Sequence, residues 1–167
     1  MKHWDVIIEL LSDRNHAVCA EIGVWKGDFA IKLLAHLPGI RSYQCVDPWV
    51  EFDGASAAQR GRFKGAYSMC MKQLEKFQHK VDVLRMTSKQ AAPLFEPNYF
   101  DFVYIDAYHV REAVKEDIQL WLPKVKPGGI LAGHDYIKRK FFGVIEAVDE
   151  LLPNAQIKDH VWWIERN

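Results

Sequence analysis

In this 167-residue chain, side chains able to do chemistry crowd most closely into Asp106-Ala107-Tyr108-His109 and Gly133-His134-Asp135-Tyr136. If the two stretches meet, Asp106 and Asp135 come within reach of one hard divalent cation, which favours oxygen ligands. An imidazole beside them, His109, has an ordinary pKa of about 6.5 and can take a proton near neutral pH. Groups of this kind are costly to leave unpaired in a half-buried cleft. They read either as a reacting centre or as a hydrogen-bonded Asp–His pair that braces two loops. The isolated histidines His3, His36 and His79 read as surface groups.

Three further places could hold a ligand. Glu21-Ile22-Gly23-Val24-Trp25-Lys26-Gly27-Asp28 is a Glu-x-Gly-x-x-x-Gly turn. Gly23 and Gly27 would let the backbone approach a bound molecule, and the helix start beyond them offers unpaired N–H donors. The spacing matches neither a dinucleotide fingerprint nor a P-loop, which disfavours pyrophosphate, and a glutamate at the strand end suits a cationic ligand better. Asp47 stands 24 residues after Gly23. That is near the spacing at which an acid accepts hydrogen bonds from ribose, although it could equally cap a turn before Pro48. Thr87 and Ser88 could reach an adenine edge or cap the next helix.

Each of these places follows a short apolar run. AVCAEIG, SYQCVDP, VDVLRM, DFVYID and GGILAGHD read as five strands. Helical spacing fills the gaps between them. Trp4, Ile7, Ile8 and Leu11 form a first stripe; Ala30, Leu33, Leu34 and Leu37 form a second, on a helix that Asp28 can cap. Tyr67, Cys70, Met71 and Leu74, then Val110 to Trp121, then Phe141 to Leu152 mark the others, and VWWIE reads as a last strand at a sheet edge, paired near Ile157. Alternating strands and helices imply a doubly wound α/β fold, a mostly parallel sheet with helices on both faces. Ligands in such sheets bind beyond the carboxyl ends of the strands, where all five places lie. Neighbouring fourth and fifth strands would bring Asp106 and Asp135 about 4.8 Å apart.

Composition narrows the function. At this length one domain over residues 1–167 is expected. Lys plus Arg equals Asp plus Glu, 22 against 22, so no net field gathers a polyanion, and a small-molecule substrate is expected rather than nucleic acid. The longest run without Asp, Glu, Lys or Arg is eight residues, far short of the roughly 20 of a membrane span. The N-terminal segment lacks the pattern of a signal peptide, so a cytoplasmic location is expected. Cys19, Cys45 and Cys70 are too far apart for a CxxC site and read as core residues.

The series AEIGVWKGDFA, VDPW, TS and DFVYIDAYHVREAVKEDIQLWLPKVKPGGILAGHDY resembles class I S-adenosylmethionine-dependent methyltransferases, in particular the small branch similar to sugar and macrolide-sugar O-methyltransferases. The resemblance implies a Rossmann-like strand order 3-2-1-4-5 with an antiparallel strand completing the sheet. It places Glu21 and Gly23, with Gly27 in the same turn, at the methionine end of the cofactor, Asp47 on the ribose, and Thr87 and Ser88 near the adenine. Asp106 lies near the methionine part and, in metal-dependent members, ligates magnesium; the histidine three residues later, here His109, is their general base. Those members commonly carry two adjacent acids after the fifth strand, where this chain has His134-Asp135. The implied ligand set is therefore Asp106, Asp135 and His134. Magnesium, a transition metal accepting nitrogen, and a metal-free variant all stay open.

The expected reaction is methylation of a hydroxyl on a sugar-like or other small molecule. A catalytically silent cofactor-binding module is the rival from another class; a nicotinamide-dependent oxidoreductase is disfavoured by the glycine spacing. The loop Glu51 to Gly65, with Arg60, Arg62 and Lys64, reads as a lid or a solvated basic face. Trp49, Trp162 and Trp163 read either as a contact surface of a homo-oligomer or as ordinary core.

Overall fold

The computed structural model describes residues 2–50 and 65–167. Of the expected lid, Glu51 to Gly65, all but Gly65 lies outside the described residues, its basic residues Arg60, Arg62 and Lys64 included. In chain order the elements are α1 (His3–Leu11), β1 (Ala17–Ile22), α2 (Asp28–His36), β2 (Ile40–Val46), α3 (Ala66–Leu74), β3 (Val81–Leu84), α4 (Ser88–Ala91), β4 (Phe100–Ile105), α5 (Arg111–Trp121), β5 (Val125–Gly133), α6 (Val144–Leu151), β6 (Gln156–Lys158) and β7 (Val161–Glu165).

The strands join one sheet in the order β3-β2-β1-β4-β5-β7-β6. β1 to β5 run parallel, and β7 is antiparallel to both β5 and β6. This is the expected Rossmann-like order, with its reversal between β1 and β4. Two details differ from expectation. VWWIE is not the edge, because β6 around Ile157 pairs outside it. The third strand stops at Leu84, so Arg85 and Met86 belong to the following turn.

Helices cover both faces, which explains why the central strands read as continuous apolar runs rather than alternating ones. Successive side chains point to opposite faces. Cys19 of β1 and Phe102 and Tyr104 of β4 join Ile7, Leu33, Leu34 and Tyr43 in one core layer. Ala20, Val103 and Ile105 join Ile118, Trp121, Leu131 and Val148 in the other. Each fully buried Leu, Ile or Phe side chain contributes about 1.5–3 kcal/mol by area. Trp49, Trp162 and Trp163 are buried, so they belong to these layers rather than to a subunit contact surface. The three cysteines are buried and free. Met71, expected on the buried stripe of α3, is exposed. No described helix is long and apolar enough to cross a membrane.

Candidate active site

β1 ends in a turn that only glycine can make. Gly23 has φ +90°, and a Cβ there would lie 2.3 Å from the Asp106 carbonyl oxygen and 2.6 Å from Ala107 Cα. The turn after β1 is thereby pressed against the turn after β4, at the strand-order reversal. Gly27, at φ +84°, is the N-cap of α2. Asp28, expected to cap that helix, is instead its first residue, because the left-handed turn at Gly27 starts the helix one residue earlier.

Asp47 fastens this turn to β2. Its Oδ2 accepts from the backbone N–H groups of Val24 (3.0 Å) and Trp25 (2.9 Å), and its Oδ1 from Trp49 N–H (2.6 Å). A carboxylate offers about four acceptor positions, so capacity for one more donor remains on Oδ1. Both readings of Asp47, turn brace and ribose acceptor, are therefore compatible in one side chain.

Glu21 is buried, and the Tyr43 hydroxyl donates to its Oε2 at 2.8 Å. Burial pushes the Glu21 carboxyl well above the usual range; the Tyr43 hydrogen bond opposes this, and Asp106, Asp47 and Asp28 add to it. Its register partner on β4 is Tyr104. The Tyr104 hydroxyl is buried with no hydrogen-bond partner among the described residues, a deficit of about 1–3 kcal/mol. A cationic group bound beside Glu21 would return that carboxyl to its charged form. The residues therefore fit the ammonium and sulfonium of S-adenosylmethionine.

Asp106, His109, His134 and Asp135 come together as expected. His109 Nε2 lies 3.3 Å from Asp106 Oδ1 and 2.9 Å from Asp135 Oδ2. Its ring stacks on Phe142 at 4.6 Å and 6°. Burial acts against its charge, but the hydrogen bonds to Asp106 and Asp135 prevail and push its pKa up to about 9. For Asp135 the balance runs the other way: burial raises its pKa, yet His109, His134 and Arg139 hold it below the ordinary carboxylate value. His134 Nδ1 lies 3.7 Å from Asp135 Oδ2, and Arg139 Nη1 lies 3.7 Å from Oδ1.

His3, read from the sequence as a surface group, is half-buried at this cleft. Its ring lies 4.4 Å from that of His134 and stacks on Phe29 at 5.7 Å, which in turn stacks on Tyr104 at 3.9 Å. Burial and then His134 lower its pKa against the pull of Asp106 and Asp135. Nothing local in the sequence announces this contact, because it depends on where α1 docks. Phe142 was missed for the same reason. His36 and His79 are exposed, as expected.

Thr87 and Ser88 are engaged internally. Thr87 is the N-cap of α4, with Oγ1 accepting from Gln90 N–H at 3.3 Å and Gln90 Oε1 accepting from Thr87 N–H at 3.0 Å. Ser88 Oγ accepts from Trp121 Nε1 at 2.8 Å and bonds the buried carboxyl of Asp117.

One ligand atom each from Asp106, His134 and Asp135 lies within 4.8 Å of the others. Magnesium does not fit this set well. It demands near-octahedral oxygen ligation, whereas an imidazole replaces one acid here and the His109 nitrogen already lies between the two carboxylates.

The methyltransferase-domain family matches residues 20–136. No curated protein sequence matches the chain. Among solved structures, the calicheamicin methyltransferase CalS11 superposes with a TM-score of 0.72 at 16% identity, covering 97% of this chain and 76% of its own. The O-methyltransferase NovP gives 0.68 at 16%, covering 98% and 77%. TomG of Streptomyces achromogenes, an O-methyltransferase in complex with SAM, gives 0.69 at 14%, covering 98% and 79%. At such identities these likenesses establish the fold, and the family match carries the rest. The chain belongs to the methyltransferase-domain family and has the class I fold of S-adenosylmethionine-dependent methyltransferases.

Proposed function

We propose that this protein transfers the methyl group of S-adenosylmethionine to a hydroxyl of a small, sugar-like acceptor. The observation that carries the reading is the meeting, at the strand-order reversal, of the Gly23 turn with Asp106, His109 and Asp135. Supporting the acceptor class, a second CalS11 structure is described as a TDP-rhamnose 3'-O-methyltransferase.

In this reading Glu21 faces the methionine end of the cofactor and Gly23 with Gly27 lets its backbone lie close. Asp47 receives a ribose hydroxyl on the spare acceptor position of Oδ1, and the Thr87–Ser88 turn, stiffened by its cap and by Trp121, borders the adenine. Asp106 closes the methionine side. The acceptor oxygen attacks the methyl carbon from the side opposite sulfur. A C–O bond forms, the C–S bond breaks with its electron pair going to sulfur, and the neutral thioether departs. The hydroxyl proton passes to His109 once that imidazole has given up its own proton. Most of the acceleration comes from holding oxygen, carbon and sulfur in line. No step is routed through a metal.

Calorimetric titration with S-adenosylmethionine and with NAD, followed by mass spectrometry of a panel of sugar, nucleotide-sugar and phenol acceptors, tests the reading. Binding of S-adenosylmethionine alone and a gain of one methyl on a hydroxyl acceptor are expected. Binding without any methylated product would turn the protein into a silent binding module; preference for NAD would refute the cofactor.

A further inference from the structure

The segment between β5 and α6, residues 134–143, closes on His109 at both ends. At one end Asp135 Oδ2 lies 2.9 Å from His109 Nε2. At the other, Gly143 N–H donates to the His109 carbonyl at 2.8 Å, and the Phe142 ring lies flat on the imidazole. A Cβ on Gly143 would stand 2.5 Å from Arg111 Cβ, so a larger residue there would push the segment away. Tyr136 braces the first half, its N–H donating to the His160 carbonyl and its hydroxyl to Asp149. A compact loop pinned at both ends to one histidine holds its tip at a fixed place beside that histidine.

The tip is Lys138-Arg139-Lys140-Phe141, and all four residues are exposed. Arg139 faces Asp135 and lies over the Phe142 ring at 5.6 Å. Lys138 and Lys140 form no ion pair among the described residues; Lys140 Nζ lies 5.0 Å from the centre of the Phe141 ring. Phe141 is 80% exposed, and its φ of +70° is a left-handed backbone that bulky residues rarely adopt. An apolar ring held in water on strained backbone contributes nothing to the core, and residues of this kind gather at ligand clamps.

The strand-end acids repel an anionic group, so an acceptor that carries one must have it received outside them, and the cationic tip lies there. Lysines bind phosphate oxygens as point charges, and an exposed aromatic ring takes the face of a heterocyclic base. A nucleic-acid strand fits less well, because its affinity is built from many phosphate contacts.

We infer that the tip at residues 138–141 receives a nucleoside diphosphate carried by the sugar acceptor. Lys138 and Lys140 take the diphosphate, Phe141 stacks on the base, and the sugar hydroxyl is delivered beside His109. This names the acceptor class of the methyl-transfer reading and rests on it.

The test is calorimetry on the full chain in the presence of S-adenosylhomocysteine, with TDP-glucose, sodium pyrophosphate and methyl glucoside as probes and S-adenosylmethionine titrated in parallel. TDP-glucose is expected to bind at least about 10-fold more tightly than either other probe, and less tightly as salt is raised. The double exchange Lys138→Ala with Lys140→Ala lowers TDP-glucose affinity at least about 10-fold, and arginine at both positions restores it. Phe141→Ala lowers it about 5-fold or more, and Phe141→Trp retains it. S-adenosylmethionine affinity stays unchanged in every variant. Methyl glucoside or pyrophosphate matching TDP-glucose, or affinity that survives the double lysine exchange or Phe141→Ala, would overturn the inference. So would sedimentation with phosphatidylserine vesicles in place of TDP-glucose binding, which would assign the tip to a membrane surface. Failure of TDP-glucose to bind while S-adenosylmethionine still does refutes this inference alone. Failure to bind S-adenosylmethionine refutes the cofactor reading and leaves the nucleotide result standing.

Discussion

Asp117 is a buried acid that weakens the fold at neutral pH. It lies on α5, 6% exposed, and its partner is the Ser88 hydroxyl. Burial raises its pKa from 3.8 to about 6, the Ser88 hydrogen bond opposing and Glu116 adding to the rise. A raised folded-state pKa means that the folded chain holds its proton where the unfolded chain has lost it. Stability attributable to the group is therefore greatest below about pH 4 and declines as pH rises through about 6. A shift of roughly 2 units corresponds to about 3 kcal/mol, at 1.36 kcal/mol per unit, an appreciable part of the 5–15 kcal/mol typical of a domain. Asp117→Asn keeps a partner for Ser88 and carries no charge. Urea unfolding of both proteins at intervals from pH 4 to 8 isolates the effect, because other titrating groups, Glu21 among them, cancel in the difference. The variant should match the parent near pH 4 and exceed it by up to about 3 kcal/mol at pH 8. A difference that stays flat with pH, or that favours the parent at pH 8, refutes the reasoning.

Gly23→Ala should destabilise by at least about 2 kcal/mol, from the positive φ and the backbone it would strike, and weaken S-adenosylmethionine binding; an unchanged melting curve would show that the β1 and β4 turns can part freely. Asp47→Ala strips three backbone N–H groups of their acceptor, so calorimetry should show cofactor affinity falling about 10-fold or more, since each charge-assisted bond contributes about 1.5–3 kcal/mol; undiminished affinity would make Asp47 a turn brace only. His109→Ala is expected to lose most turnover while retaining the cofactor, and full turnover would remove it from the proton-accepting role. Glu21→Gln preserves shape and the acceptor for Tyr43, so stability should hold or rise while S-adenosylmethionine affinity falls several-fold; equal affinity would mean that the bound cofactor does not rely on the Glu21 charge.

The strands and the groups at their ends were legible because they follow from local rules, whereas the sheet order came only with the family resemblance. Runs such as DFVYID and GGILAGHD mark strands buried on both faces, and the placement of Asp106 and Asp135 at neighbouring ends then follows from the topology. Gly23 was read as leaving room for a bound molecule, and the close approach the structure shows there is to the backbone of Asp106 and Ala107. What stayed hidden depends on contacts between elements far apart in the chain. His3 reaches the cleft because α1 packs beside α2, and nothing within reach of residue 3 encodes that. The clasp of His109 by both carboxylates, and the commitment of Ser88 to Trp121 and Asp117, are side-chain choices made only once β4, α4, α5 and the turn after β5 are assembled.

The sealed thiols give the molecule its own reporters of opening. Cys19 and Cys45 lie in the adjacent strands β1 and β2, whereas Cys70 sits beneath the turn after β1, its Sγ 3.2 Å from where a side chain at Gly27 would begin. Burial holds the Cys70 thiol up at about 12, so an alkylating reagent attacks it only when the cover lifts. Alkylation of Cys70 ahead of the other two would clock the breathing of that turn, and a bound nucleoside should slow it. Simultaneous attack on all three would register collapse of the whole sheet.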